Sequence, residues 1–66
     1  MSVERITRIT ATSAKSFDDA LDEGLKRANK TLRGLNRIDI VSQGVRLHNG
    51  KIKEYEVTLD ITFVLD

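Results

Sequence analysis

The sequence predicts an α+β fold, a single domain spanning residues 1–66 with its elements in the order β-α-β-β. Three observations predict it. Residues 16–33 have the apolar spacing of an amphipathic helix. Asn49-Gly50 separates two runs rich in strand-forming residues, which is the strongest short signal for a hairpin. Residues 3–12 are rich in Ile, Thr and Val, and a chain of 66 residues leaves no room for a second domain.

The first strand is predicted over residues 3–12, VERITRITAT. Its composition favours a strand, although its alternation is imperfect because Ile6 and Ile9 fall on opposite faces. Thr12 and Ser13 follow, and we expect them to hold the loop or to cap the start of the helix.

The helix is predicted over residues 16–33. Ser16 suits the N-cap, Asp19 lies where an acidic side chain can reach back, and Gly34 is a natural stop. Acidic residues occupy the first half and basic residues the second, which complements the helix dipole and indicates a solvated face. One apolar stripe is formed by Phe17, Ala20, Leu21, Gly24, Leu25, Ala28 and Leu32.

The hairpin is predicted from strands at residues 36–48 and 51–65, with a two-residue turn that makes paired residue numbers sum to 99. The apolar face, expected under the helix, comprises Ile38, Ile40, Ser42, Gly44, Tyr55, Val57, Leu59, Ile61 and Phe63. The opposite face comprises Arg37, Asp39, Val41, Gln43, Val45, Glu54, Glu56, Thr58, Asp60 and Thr62. A bulge near Gln43-Gly44 is the alternative, and it would shift this pairing by one residue.

The size of the chain favours self-association. Thirteen paired residues span about 43 Å, whereas an eighteen-residue helix covers only about 27 Å of such a sheet. There is no cysteine to stabilise so small a domain, so we expect an oligomer. The net charge of +1 favours neither nucleic acid nor membrane as a partner, and the absence of an apolar signal segment predicts a cytoplasmic protein.

Few residues suggest chemistry. His48 is the only histidine, lies at the turn and has no Cys or Ser partner. No nucleophile–base pair can therefore be assembled, and the protein is predicted not to be an enzyme. Asp39 and Asp60 face each other in the simple register, where two carboxylates repel unless a cation or an arginine neutralises them. One interpretation is a calcium or magnesium site, and the other is neutralisation by Arg37, diagonal to Asp60. Two carboxylates are too few for calcium unless symmetry mates contribute.

The sequence resembles the dodecin family over nearly its whole length. The resemblance rests on the β-α-β-β order and on local matches, which are Thr12-Ser13, Ser16-Phe17, Ala20, Ala28, Thr31-Leu32-Arg33, Val41-Ser42-Gln43-Gly44-Val45, Tyr55-Glu56-Val57 and Phe63-Val64-Leu65-Asp66. It implies a three-stranded antiparallel sheet curled around one helix, and a hollow homododecamer. It also implies storage of flavins (riboflavin, FMN or FAD) stacked on tryptophans, without catalysis.

The chain departs from the family at that flavin site. The stacking tryptophan falls at Arg37, and the glutamine that binds the flavin ring edge falls at Glu56. The resemblance therefore implies ligand-binding positions at Arg37, Gln43, Val45 and Glu56, with no metal ligand assigned. We expect Arg37 and Glu56, from one subunit or from neighbours, to form an ion pair that fills the pocket. The predicted function is a non-catalytic shell that binds or stores a small ligand. The alternative is a flavin-free cage that binds cations such as calcium on its acidic sheet face.

Overall fold

The computed structural model describes residues 2–65, and the two ends of the predicted domain, Met1 and Asp66, lie outside the described residues. The elements follow in the order β1 (Val3–Ser13), α1 (Phe17–Thr31), β2 (Leu35–His48) and β3 (Lys51–Leu65). The strands form one antiparallel sheet in the order β1-β3-β2, so β3 is central. The predicted α+β class and the β-α-β-β order are confirmed.

The start of α1 is held by short-range hydrogen bonds. The Ser16 hydroxyl accepts a 2.9 Å hydrogen bond from the backbone N–H of Asp19, which confirms Ser16 as the N-cap. The Asp19 carboxylate accepts a 2.6 Å bond from the hydroxyl of Ser13, and that hydroxyl accepts one of 2.9 Å from the Lys15 N–H. Ser13 is buried and fastens the end of β1 to the first turn of α1.

The helix ends at Thr31, two residues before the predicted boundary. Gly34 then adopts a φ of +72°, which glycine tolerates without strain, and turns the chain into β2. Its carbonyl accepts a 3.0 Å hydrogen bond from the N–H of Val64, so the turn is tied to β3.

The core lies between α1 and the sheet. The buried hydrophobic core consists of Ala20, Ala28, Val57, Leu59 and Ile61, and the small helix residues among them let α1 approach the sheet closely. The approach is close at Gly24, where an added Cβ would lie 3.0 Å from the Leu59 Cδ1 and 3.2 Å from the Ala11 Cβ. The predicted apolar stripe therefore packs on β1 and β3.

The hairpin register follows the prediction at its ends and departs from it in the middle. Asn49 and Gly50 have φ values of 51° and 76°, as a type I′ turn requires, and His48 pairs with Lys51. Asp39 pairs with Asp60, again summing to 99. Between these points Gln43 pairs with Val57 and Val45 with Tyr55, a shift of one residue.

Two bulges cause this shift. Lys53 in β3 and Val41 in β2 have no pairing partner, so each inserts one extra residue. Gln43 and Val45 consequently lie on the helix side of the sheet, whereas Ser42 and Gly44 lie on the opposite face. The predicted faces are wrong for these four residues, and the alternative of a one-residue shift is right. The odd spacings of the apolar pairs Ile40–Val45 and Ile52–Tyr55 carry the signal, because strict alternation requires even spacings.

The sheet extends well beyond the helix. The chain measures 50 × 19 × 14 Å. β1 ends at Ser13, opposite Tyr55, and α1 begins at Phe17. The Phe17 and Tyr55 rings meet edge-to-face, with their centroids 5.1 Å apart. Past this point residues 46–54 project as a two-stranded hairpin, called the arm below. Every residue from 40 to 53 is exposed, which confirms the predicted overhang. Within the described residues, α1 is too short and too polar to cross a membrane.

Candidate functional site

The candidate site lies on the face of the sheet opposite α1, called the polar face below. Charged and hydroxyl side chains from all three strands share it because their positions are paired across the sheet. The polar face comprises Ile6, Arg8, Thr10, Thr12, Arg37, Asp39, Ser42, Gly44, Arg46, Glu54, Glu56, Thr58, Asp60 and Thr62, of which Ile6 alone is apolar.

Two arginine–carboxylate pairs lie side by side near one end of the polar face. The Arg8 guanidinium donates to both oxygens of Asp60, at 2.7 and 3.0 Å. Arg37 donates to both oxygens of Asp39, at 3.0 to 3.1 Å. The hydrogen bonds from Arg8 hold the pKa of Asp60 below its ordinary value. Asp39 and Asp60 face each other as predicted, and each carboxylate is neutralised by its own arginine.

The predicted partner of Asp60 is therefore wrong. Arg37 was expected to neutralise Asp60 across the diagonal, but it bonds Asp39, two residues away on its own strand. Arg8 takes the place at Asp60 because β1 pairs with β3 in a register that sets these two residues opposite each other. Arg8 was not predicted as the partner of Asp60, because the pairing of β1 with β3 is not visible in the residues of β1.

A third ion pair joins Arg46 and Glu56. The Arg46 Nε donates to the Glu56 Oε2 at 2.7 Å and lies 3.9 Å from the Glu54 Oε1. This hydrogen bond and the negative charge of Glu56 raise the pKa of Arg46. Within one chain the predicted Arg37–Glu56 pair is wrong, because Arg37 lies opposite Thr62 and Glu56 opposite Gly44, several rows apart. An Arg37–Glu56 pair between neighbouring subunits stays a prediction.

The surface between these ion pairs carries hydroxyl groups. The Thr10 and Thr58 hydroxyls share a 3.4 Å hydrogen bond, and Ser42 lies opposite Thr58. At Gly44 an added Cβ would meet no atom within 4 Å, so the surface is open beside Glu56. Such a surface can hydrogen-bond a flat polar ligand on one side, and a second surface is needed to enclose that ligand.

The four predicted ligand-binding residues are divided between the two faces. Arg37 and Glu56 lie on the polar face, Arg37 exposed and Glu56 partly buried. Gln43 and Val45 lie on the helix side, at the base of the arm. The structure thus does not bring the four together in one chain. It adds Arg46, which was not among the predicted site residues.

The described residues were also compared with what a metal ion needs, which is several ligand side chains close together. Nowhere in residues 2–65 do three or more His, Cys, Asp or Glu side chains lie close enough to hold an ion together. His48 is exposed at the hairpin turn.

An open cavity of about 430 Å³ lies on the solvent side of α1, remote from the polar face, and its lining is charged and solvated.

Comparison with known proteins gives one consistent result. The model of the dodecin family matches residues 3–66. A dodecin from Streptomyces davaonensis is 34% identical, with a TM-score of 0.93 and coverage of 98% of this chain and 96% of that one. An arginine-to-alanine mutant of the Thermus thermophilus dodecin is 29% identical, with a TM-score of 0.93 and coverage of 100% and 98%.

A more distant match shows the fold alone. It is a calcium dodecin from Mycobacterium tuberculosis, described as a calcium-chelating antigen with a novel calcium-binding site. It is 22% identical, with a TM-score of 0.87 and coverage of 98% of this chain and 93% of that one. No curated protein matches the sequence.

Proposed function

This chain belongs to the dodecin family, and on that premise we propose that its copies form a hollow homododecamer that binds or stores a small ligand. Dodecins bind flavins and form dodecamers, and they are generally not enzymes. In this chain the flavin site is altered at Arg37 and Glu56. A cytoplasmic location and the absence of catalysis are parts of the same proposal.

One observation carries the altered site. Arg37 and Glu56 take the positions of the stacking tryptophan and of the flavin-binding glutamine in the family resemblance, and both are engaged in ion pairs on the polar face. A guanidinium held by Asp39 does not replace an indole ring. A carboxylate held by Arg46 accepts hydrogen bonds but cannot donate them as an amide does. These residues do not fit a flavin bound in the family's manner.

The expected loss of flavin affinity follows from the missing stack. An aromatic stack contributes about 0.5–1.5 kcal/mol beyond the burial of its area. A paired site stacks more than once, so flavin should bind about tenfold or more weakly than with tryptophan. The guanidiniums of Arg37 and Arg46 still offer a place for an anionic group such as the phosphate of FMN, provided that it displaces Asp39 or Glu56.

The lack of catalysis is supported by how the reactive groups are arranged. Among residues 2–65 the Thr10 and Thr58 hydroxyls hydrogen-bond to each other, and the lone imidazole of His48 is at the turn, away from them. The carboxylates of Asp39, Glu56 and Asp60 are each bound to an arginine. A site of this kind binds and orients a ligand and has no activated nucleophile.

The test is a titration of riboflavin and FMN into the assembled protein, followed by flavin fluorescence, with assembly established first by light scattering. The matched variant carries Arg37→Trp and Glu56→Gln, which restores both family residues. We expect weak or no quenching with the parent and clear quenching at a defined stoichiometry with the double variant. Strong quenching by the parent would show that its flavin site is intact, and it would overturn the proposal that the site is altered at Arg37 and Glu56.

The alternative function is a flavin-free cage that binds cations, and the direct opposition of Asp39 and Asp60 favours it. Arg8 and Arg37 compete with any cation for these carboxylates. We expect the melting temperature of the parent to be the same in calcium and in chelator, because a ligand that binds the native state alone must raise stability. A calcium-dependent rise that is lost in Asp60→Asn would establish the alternative instead.

A further inference from the structure

The hairpin turn carries two neighbouring residues that can react with each other. Asn49 is followed by Gly50, and both are exposed at the tip of the arm. Among the asparagines of the chain, Asn49 is the only one followed by glycine. A Cβ at Gly50 would meet no atom within 4 Å, so the surroundings of its backbone are open. Within residues 2–65 the Asn49 side chain makes no hydrogen bond, so its amide is not held in place.

The other two asparagines are in settings that prevent the same reaction. Asn29 lies in α1, where the helix holds the backbone N–H of the following residue. Asn36 lies in β2, and its Nδ2 donates a 2.6 Å hydrogen bond to the Glu4 Oε2. Each of them precedes a residue with a long basic side chain, which hinders approach to the backbone nitrogen. The amide at Asn49 meets neither obstacle.

We propose that Asn49 is a site of spontaneous deamidation. The Gly50 nitrogen attacks the Asn49 Cγ, so that an N–Cγ bond forms and the Cγ–Nδ2 bond breaks. The side-chain nitrogen leaves as ammonia together with the proton of the Gly50 amide, and a cyclic succinimide remains. Water then opens the ring without any transfer of electrons: attack at Cγ gives aspartate, and attack at the backbone carbonyl carbon gives isoaspartate. The reaction takes place within one chain, so it is independent of the proposed function.

The closed turn protects this pair, and the weak support of the arm exposes it. In the turn Asn49 and Gly50 are held at φ values of 51° and 76°. The succinimide closes only after the Asn49 ψ rotates away from this turn. The arm extends past the end of β1 and the start of α1, and a two-stranded hairpin is only marginally stable in water. Local opening of the arm therefore supplies the reactive conformation without unfolding of the core.

The two products affect the arm differently. Asp-Gly is itself favoured in a type I′ turn, so aspartate keeps the pairing of His48 with Lys51. Isoaspartate adds its Cβ to the main chain of a two-residue loop. Because the loop length fixes the register of a hairpin, that pairing is lost. Either product replaces a neutral amide by a carboxylate and so removes the formal net charge of +1.

Incubation of the full chain at mildly basic pH tests the site. Conversion is followed by mass spectrometry of the peptides and by labelling with an isoaspartate-specific methyltransferase. We expect amide-to-acid conversion at Asn49, while Asn29 and Asn36 stay unchanged. The conversion should be at least about tenfold faster in urea, because the turn then no longer has to open. The matched variant Asn49→Gly keeps a pair that forms the same turn and should take no label.

The outcomes are separable by site and by consequence. An intact Asn49 in the native protein, after an incubation that converts it in urea, would overturn the proposal. Conversion of Asn29 or Asn36 as fast as Asn49 would overturn it as well. Hydrogen exchange tests the consequence: the arm amides should lose protection in the isoaspartate fraction and keep it in Asn49→Asp. Equal protection in the two would refute the effect on the register.

Discussion

The substitution Gly24→Ala tests how closely α1 packs on the sheet. Gly24 lies in the middle of α1 and is buried. Its missing side chain faces Leu59, which is fully buried, and Ala11 of β1. An added methyl carbon would lie 3.0 Å from the Leu59 Cδ1 and 3.2 Å from the Ala11 Cβ, both closer than ordinary van der Waals contact.

Two effects of opposite sign compete at this position. Alanine is favoured over glycine in a helix interior by about 1 kcal/mol. Overpacking of a tight core costs about 1–3 kcal/mol. Leu59 is enclosed by the core and the Ala11 Cβ is fixed to a paired strand, so neither neighbour yields easily. We therefore expect the packing effect to win and Gly24→Ala to lower the free energy of unfolding by about 1 kcal/mol.

The assay is thermal and urea unfolding at one fixed protomer concentration, because assembly makes stability depend on concentration. For a chain of this size the expected change lowers the melting temperature by about 4–8 °C. Gly44→Ala is the matched control, since its Cβ meets nothing within 4 Å, and it should change stability by no more than about 0.5 kcal/mol. A Gly24→Ala protein with a higher melting temperature than the parent would refute the packing argument. It would show that the higher helix propensity of alanine outweighs the overpacking.

Two further predictions concern polar contacts. The bond from Arg8 lowers the pKa of Asp60 in the folded state, so its contribution to stability is present at neutral pH and is lost as the pH falls through that lowered pKa. Asp60→Asn should accordingly lose less stability than the parent when urea unfolding is compared at neutral and acidic pH, and an equal loss in both proteins would contradict this. Ser13→Ala removes the buried hydroxyl that binds Asp19 and should lower the free energy of unfolding by about 1–3 kcal/mol, whereas Ser42→Ala, at an exposed position, should be nearly neutral. Equal melting temperatures for the Ser13→Ala and Ser42→Ala proteins would exclude a structural role for the hydrogen bond between Ser13 and Asp19.

Much of the fold was predictable because its signals are local. Ser16 caps α1 through a hydrogen bond to a residue three positions away, and Asn49-Gly50 adopts positive φ values that few other residues tolerate. The overhang of the sheet followed from the lengths of the elements. The site was less predictable, because ion pairs such as Arg8–Asp60 join residues far apart in the chain.

The element order, the helix cap, the turn and the apolar stripe can be read from the sequence alone, since each depends on contacts within a few residues. Which residues share the polar face depends instead on how the strands pair in the folded chain. The bulge at Val41 moves Gln43 and Val45 to the helix side, and the register of β1 on β3 brings Arg8 to Asp60. The physical reason is that a one-residue bulge reverses every side chain beyond it. Its position is set by how the whole sheet pairs and packs under the helix.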